Sequence, residues 1–146
     1  MNIVQRLTIA PNKSMPLSWT IAPLEKMVVC TAEGTVTLPD MLAYYRALDE
    51  ARAFPYQKIF IASAGISALS PEDIALCANE LHSRHKTSRF GEVAVVAGSS
   101  RNEDLANIFR MLSKVDRPLF LCATIHDARQ WLAKRRRSAA GQRNSG

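Results

Sequence analysis

Three cysteines, Cys30, Cys77 and Cys122, are all that the chain contains. They are odd in number and far apart, and each is set in an apolar pattern. That argues against a disulfide framework or a zinc site, and for reduced core thiols in a cytoplasmic protein. No run of 18 apolar residues is present, so no helical membrane span is expected. The opening residues, MNIVQRLTIAPNK, lack a basic stretch followed by a long apolar one and do not read as a signal peptide. The phosphate-cradling patterns G-x-x-x-x-G-K-[ST] and G-x-G-x-x-G are missing, as is the G-x-S-x-G elbow of hydrolases.

Histidine is also scarce. His82 and His85 sit three apart near Glu80, and His126 lies far downstream, so a metal site would need ligands from other elements. No metal and no cofactor is expected. The acidic residues fall mainly in the first turns of predicted helices, and no carboxylate pair suggests acid–base chemistry. With no catalytic constellation, the chain reads as non-enzymatic.

What is present is enough for one folded domain. The 146 residues are 47% hydrophobic, long and apolar enough to bury a core. The net charge of +6 is unevenly placed. Of 19 basic residues, Lys134, Arg135, Arg136, Arg137 and Arg143 lie at the end, leaving 14 basic against 13 acidic residues up to Ala133. The body is nearly neutral and the tail is basic.

Residues 1–16 are expected to form an N-terminal arm or edge strand, interrupted by Pro11 and Pro16. Residues 17–22 (LSWTIA) and 26–31 (KMVVCT) read as a β-hairpin turning at Pro23, Leu24 and Glu25, with Trp19 facing the core. A helix starts at Thr37, with Pro39 in its first turn and Asp40 as the reciprocal cap. Leu38, Met41, Leu42, Tyr45 and Leu48 form its apolar stripe. Residues 58–62 (KIFIA) suit a central strand covered on both faces. A loop over 63–70 follows, then a helix capped by Ser70 with Pro71 first and Asp73 returning the bond, burying Ile74, Cys77, Ala78 and Leu81.

Residues 92–97 (EVAVVA) are the next buried strand. A turn at Gly98 leads to a helix over about 102–115 with Leu105, Ile108, Phe109 and Leu112 inside. Residues 118–123 (PLFLCA) form the last strand. Thr124 caps a final helix that buries Ile125, Ala128, Trp131 and Leu132 and ends in Lys134 to Arg137, and residues beyond it fray. The expected architecture is a single α/β domain over 17–133. It has an N-terminal hairpin, then alternating strands and helices, giving a mixed, mostly parallel sheet of about five strands with four helices. A basic flexible tail over 134–146 completes the chain. A ligand would bind beyond the carboxyl ends of the strands, at 33–37, 63–70, 98–101 and 123–125.

Four segments, GTVTLPDMLAYYRAL, KIFIASAGISALSPEDIALCANEL, EVAVVAG and FLCATIHDARQWL, resemble the STAS-like family related to sporulation anti-sigma-factor antagonists. The closing strand and helix, with Ala128, Trp131 and Leu132, carry most of the likeness. The resemblance implies a STAS-like fold and a binding or regulatory role among small bacterial proteins, mostly without an assigned activity. Anti-sigma-factor antagonists carry Asp-Ser-Ser-Gly after the central strand, and the second Ser is phosphorylated. The matching residues here are Ala62, Ser63, Ala64 and Gly65, so neither the acid nor that serine is present. The related fold includes lipid-transfer domains, which implies a carrier of a small apolar ligand as an alternative.

Ser63, Ser67 and Ser70 precede a helix N-terminus, where free N–H groups favour anions, although ordinary capping would also account for them. Ser99, Ser100 and Arg101 offer the same chemistry at the next strand end. Tyr44 lies off the stripe occupied by Tyr45, so it is expected to be exposed and to mark a protein-partner or homodimer surface. Met111 is in the same position on its helix. Lys134, Arg135, Arg136 and Arg137 would suit nucleic acid or an anionic membrane surface, or else simply the helix dipole.

Overall fold

The computed structural model describes residues 16–97 and 117–144. The expected N-terminal arm, the expected helix over 102–115 with Met111, and Ser99, Ser100 and Arg101 lie outside the described residues. Among the described residues there are five strands and three helices, where four helices were expected. They are β1 (Leu17–Ala22), β2 (Met27–Val36), α1 (Leu38–Glu50), β3 (Gln57–Ser67), α2 (Pro71–His85), β4 (Val93–Val96), β5 (Leu119–Cys122) and α3 (Ile125–Asn144). The sheet order is β1-β2-β3-β4-β5, with the first pair antiparallel and the other three parallel.

The alternation of side chains along each strand divides the core into two layers. Leu17, Trp19 and Ile21 of β1, Val28 and Cys30 of β2, Phe60 of β3 and Val95 of β4 point to one face, where α1 and α2 cover them. Ile59, Ala94 and Val96 point to the other, where Ala128 and Leu132 of α3 close over them. β3 is therefore the central strand covered on both sides, as its continuous apolar run implied. Ile125, expected inside, is 41% exposed, and Trp131 is only half-buried, stacked on Phe120 at 5.0 Å.

The helix starts differ in detail. At Ser70 the cap is fully reciprocal: Asp73 N–H donates to Ser70 Oγ at 3.0 Å, and Ser70 N–H donates to Asp73 Oδ2 at 3.1 Å. At Thr37 the backbone N–H and the hydroxyl both donate to Asp40 Oδ2 at 2.8 Å, so the carboxylate carries that cap. Arg52, in the left-handed region at φ 53°, turns the chain out of α1 before Pro55.

Two boundaries depart from expectation. β2 and β3 run on together as far as Val36 and Ser67, through segments that read as a turn and a loop. α3 continues to Asn144 rather than fraying after Arg137. Between Leu132 and Asn144 only Gly141 disfavours helix, and Ala, Arg, Lys and Gln propagate it well.

Candidate functional site

The carboxyl end of the sheet is built by the β2–β3 extension and the start of α2. Up to Thr31 and Ile61 the two strands pair residue for residue. The next pair is Glu33 with Ala64, so β3 carries one extra residue at the Ala62–Ser63 step. Such a bulge bends the strand and re-aims its side chains. Beyond it, Gly65 lies against Ala32 so closely that a Cβ on Gly65 would sit 2.8 Å from the Ala32 Cβ. Gly34 reaches the same stretch through φ +86°, a conformation that favours glycine. The small residues that look like a loop are therefore what lets two strands approach closely.

This arrangement separates the predicted serines. Ser63 is exposed at the bulge. Ser67 ends β3 and turns inward on its own chain, its Oγ accepting from Leu69 N–H at 3.2 Å. Ser70 is occupied by its cap. Ser67 and Ser70 come together where β3 hands over to α2, while Ser63 stands apart on the strand. The most prominent side chain on the extension is Ile66, 57% exposed. β4 pairs with β3 only from Lys58 to Ile61, so among the described residues no strand pairs with the edge of β3 beyond Ile61.

Tyr44 is a correction. It is 5% exposed, inside the core, with its ring 5.5 Å from Trp19 and 6.3 Å from Phe60. β1 adds Trp19 to the covered face of the sheet, and that extra width brings the Tyr44 side of α1 indoors together with Tyr45.

Reading the sequence also missed a buried polar group at the opposite end of the same layer. Lys58 is only 3% exposed. Its Nζ donates to the carbonyl oxygens of Phe54 and, at 2.8 Å, of Tyr56, tying down the turn between α1 and β3. Burial holds its pKa well below the ordinary lysine value, with help from the Arg117 guanidinium, while Glu92 opposes the shift. Burial also lowers Arg117 to about 10. The Tyr45 hydroxyl is buried there without a hydrogen-bond partner among the described residues; the neighbouring Cys77 thiol is a weak acceptor. Burial raises Tyr44 and Tyr45 well above the phenol value and Cys77 to about 11, so none of these groups ionises near neutral pH. The cavity among them measures about 30 Å³, room for about one water, whereas small-molecule pockets run to several hundred. A lysine opening an otherwise apolar central strand was the available signal.

Below Lys58, Gln57 is buried as well. Its Nε2 donates to the Leu132 carbonyl at 2.9 Å, and its Oε1 accepts from Arg136 Nη2 at 2.9 Å. The glutamine pins α3 to the sheet and fixes one of the four basic residues singled out in the sequence. Arg135 pairs with Glu92 at 3.4 Å. Lys134 and Arg137 are exposed. Among the described residues, no group of three or more His, Cys, Asp or Glu side chains could hold a metal ion, and no helix is long and apolar enough to cross a membrane.

A five-stranded mixed sheet of this order, with α1 and α2 on one face and α3 on the other, is a STAS-like fold. Among solved structures the chain is similar to an uncharacterised protein of the DUF3478 family with a SpoIIAA-like fold, from Shewanella loihica PV-4. The TM-score is 0.53 and the identity 20%, over 73% of this chain and 83% of that one, a likeness of fold. No protein-family profile and no curated protein matches the sequence.

Proposed function

We propose that the chain is a non-enzymatic binding or regulatory domain of STAS-like fold, and that it contacts a protein partner at the carboxyl end of its sheet. The observation that carries this reading is the β2–β3 extension, which runs past β4 and presents exposed Ser63, Ala64 and Ile66. These three residues are uncharged, and Ile66 is a large apolar group held in solvent by a paired backbone. Such a ridge suits side-chain contact or strand addition by a partner chain. The reading leaves no part for phosphorylation at Ala64.

Affinity capture from cells of the source organism tests it, comparing the unaltered protein with Ile66→Asp and with a distant charge variant, Arg46→Glu. The expected result is a partner retained by the unaltered protein and by Arg46→Glu but lost by Ile66→Asp, with both variants folded by circular dichroism. A set of retained proteins indifferent to Ile66→Asp would overturn the assignment of this ridge.

A further inference from the structure

We infer that the groove at the amino-terminal end of the sheet, opposite the β2–β3 ridge, binds the phosphodiester backbone of a nucleic acid. The groove measures about 790 Å³ and is lined by Lys26, Tyr56, Gln57, Arg89, Glu92 and Arg136, among others. Lys26 comes from the turn before β2, Arg89 from the segment before β4, and Arg136 from α3. Among the described residues, three cations from three parts of the chain thus face one space with one carboxylate.

That carboxylate is engaged elsewhere, since Glu92 Oε2 takes the Arg135 Nε–H at 3.4 Å. Arg136 is different. Its Nη2 donates to Gln57 Oε1 at 2.9 Å and to the Glu25 carbonyl at 3.2 Å. Both acceptors are neutral, so they aim the guanidinium without cancelling its charge. Gln57, itself anchored on the Leu132 carbonyl, holds it at the groove. A planar guanidinium held this way is suited to a phosphate oxygen pair. Lys26 and Arg89 are exposed and supply mobile charge at the rim.

The helix dipole does not account for these cations. Its effect falls off within the last turn, and α3 continues two turns past Arg136 to Asn144. A membrane surface is the poorer fit. A helix lying in a lipid interface presents large apolar side chains beside its basic ones. Around Arg136 on α3 the exposed neighbours are Ala133, Ala139 and Ala140, Leu132 is turned to the sheet, and the half-buried Trp131 is stacked on Phe120 outside the groove lining.

Fluorescence anisotropy with the full chain and a labelled oligonucleotide of about 20 nucleotides, at about 50 to 200 mM NaCl, tests this. Binding is expected to weaken with salt at a log–log slope of about −2 to −3, as for roughly three phosphate contacts. The double variant Lys26→Glu, Arg89→Glu should lose about tenfold or more and show a shallower slope. A double variant of the same net charge outside the groove lining, Arg46→Glu with Arg129→Glu, should lose less than about threefold. Circular dichroism melting of both variants establishes that they fold. The inference is overturned by no binding at the lowest salt or by equal loss in the two variants. Equal affinity for an uncharged peptide nucleic acid, or tighter binding to vesicles containing phosphatidylserine than to the oligonucleotide, would also overturn it.

Discussion

The two ends of the sheet are made in opposite ways. At the carboxyl end, among the described residues, β2 and β3 continue alone as a narrow pair of strands. Small residues hold them close: Ala32 against Gly65, with Gly34 at positive φ inside β2. Little there is buried, and the exposed groups are mostly uncharged. At the amino end, polar side chains are packed inside and their charges are held in place. Lys58 caps two carbonyl oxygens, Gln57 bridges Leu132 and Arg136, and Gly91 N–H donates to Phe54 O at 2.9 Å. One end can change its surface at little cost to the fold. The other couples its surface charges directly to the core.

The largest expected effect lies at the amino end. A Cβ on Gly91 would overlap the carbonyl oxygens of Pro55 and Tyr56, which are backbone atoms fixed in the same turn that Lys58 ties down. Gly91→Ala should therefore cost about 3 kcal/mol or more, lowering the thermal midpoint by about 10 °C. Gly65→Ala at the carboxyl end meets the Ala32 Cβ and a strand pair free to separate slightly, so about 1–2 kcal/mol is expected. Melting curves of the two variants side by side decide it. Equal losses would mean that the two ends are equally rigid.

Next comes Lys58→Met, which removes two hydrogen bonds and a buried amine. A loss of about 2 kcal/mol is expected from the abandoned carbonyl groups. The sign of its pH dependence follows from the lowered pKa. Between the lowered folded value and the unfolded value of 10.5, the unfolded chain binds more protons at this site, so the lysine contributes increasing stability as pH rises. Relative to the unaltered protein, the variant's deficit should grow from neutral pH toward pH 10.5. Urea unfolding at several pH values measures this, and a deficit that shrinks with pH would contradict a buried, proton-shedding lysine.

The smallest effects belong to the two helix starts flanking the ridge. Ser70→Ala should lose about 1 kcal/mol, because the Ser70 Oγ is the acceptor for Asp73 N–H. Thr37→Ala should lose about 0.5 kcal/mol, because Asp40 still accepts the residue 37 backbone N–H. Chemical denaturation of the pair resolves the difference, and a larger loss at Thr37 would mean that its hydroxyl does more than donate to Asp40.

Much of the fold was legible from contiguous residues. The central strand, the capped starts at Thr37 and Ser70, the core place of Trp19 and the inward Ala128 and Leu132 all follow from local spacing. Of the candidate site, the position of Ser67 and Ser70 beside a helix start was legible, and the ridge was not. Small residues at 63–65 look the same whether they make a loop or a tight strand pair, and only the approach of Ala32 distinguishes the two. Tyr44 was misplaced because its exposure depends on how far β1 widens the sheet.

What the sequence determined by itself is the set of structures built from neighbours along the chain: caps, strand and helix periods, and the βα alternation that implies a parallel sheet. Their causes are short-range, a hydrogen bond three residues away or a side-chain period of two or four. Tertiary structure decided both ends of the sheet. Lys26, Gln57, Arg89 and Arg136 lie tens of residues apart and share a groove only because β2, β3 and β4 are adjacent and α3 returns across them. The length of the ridge likewise depends on pairing between β2 and β3, and pairing is a property of two segments rather than of either one.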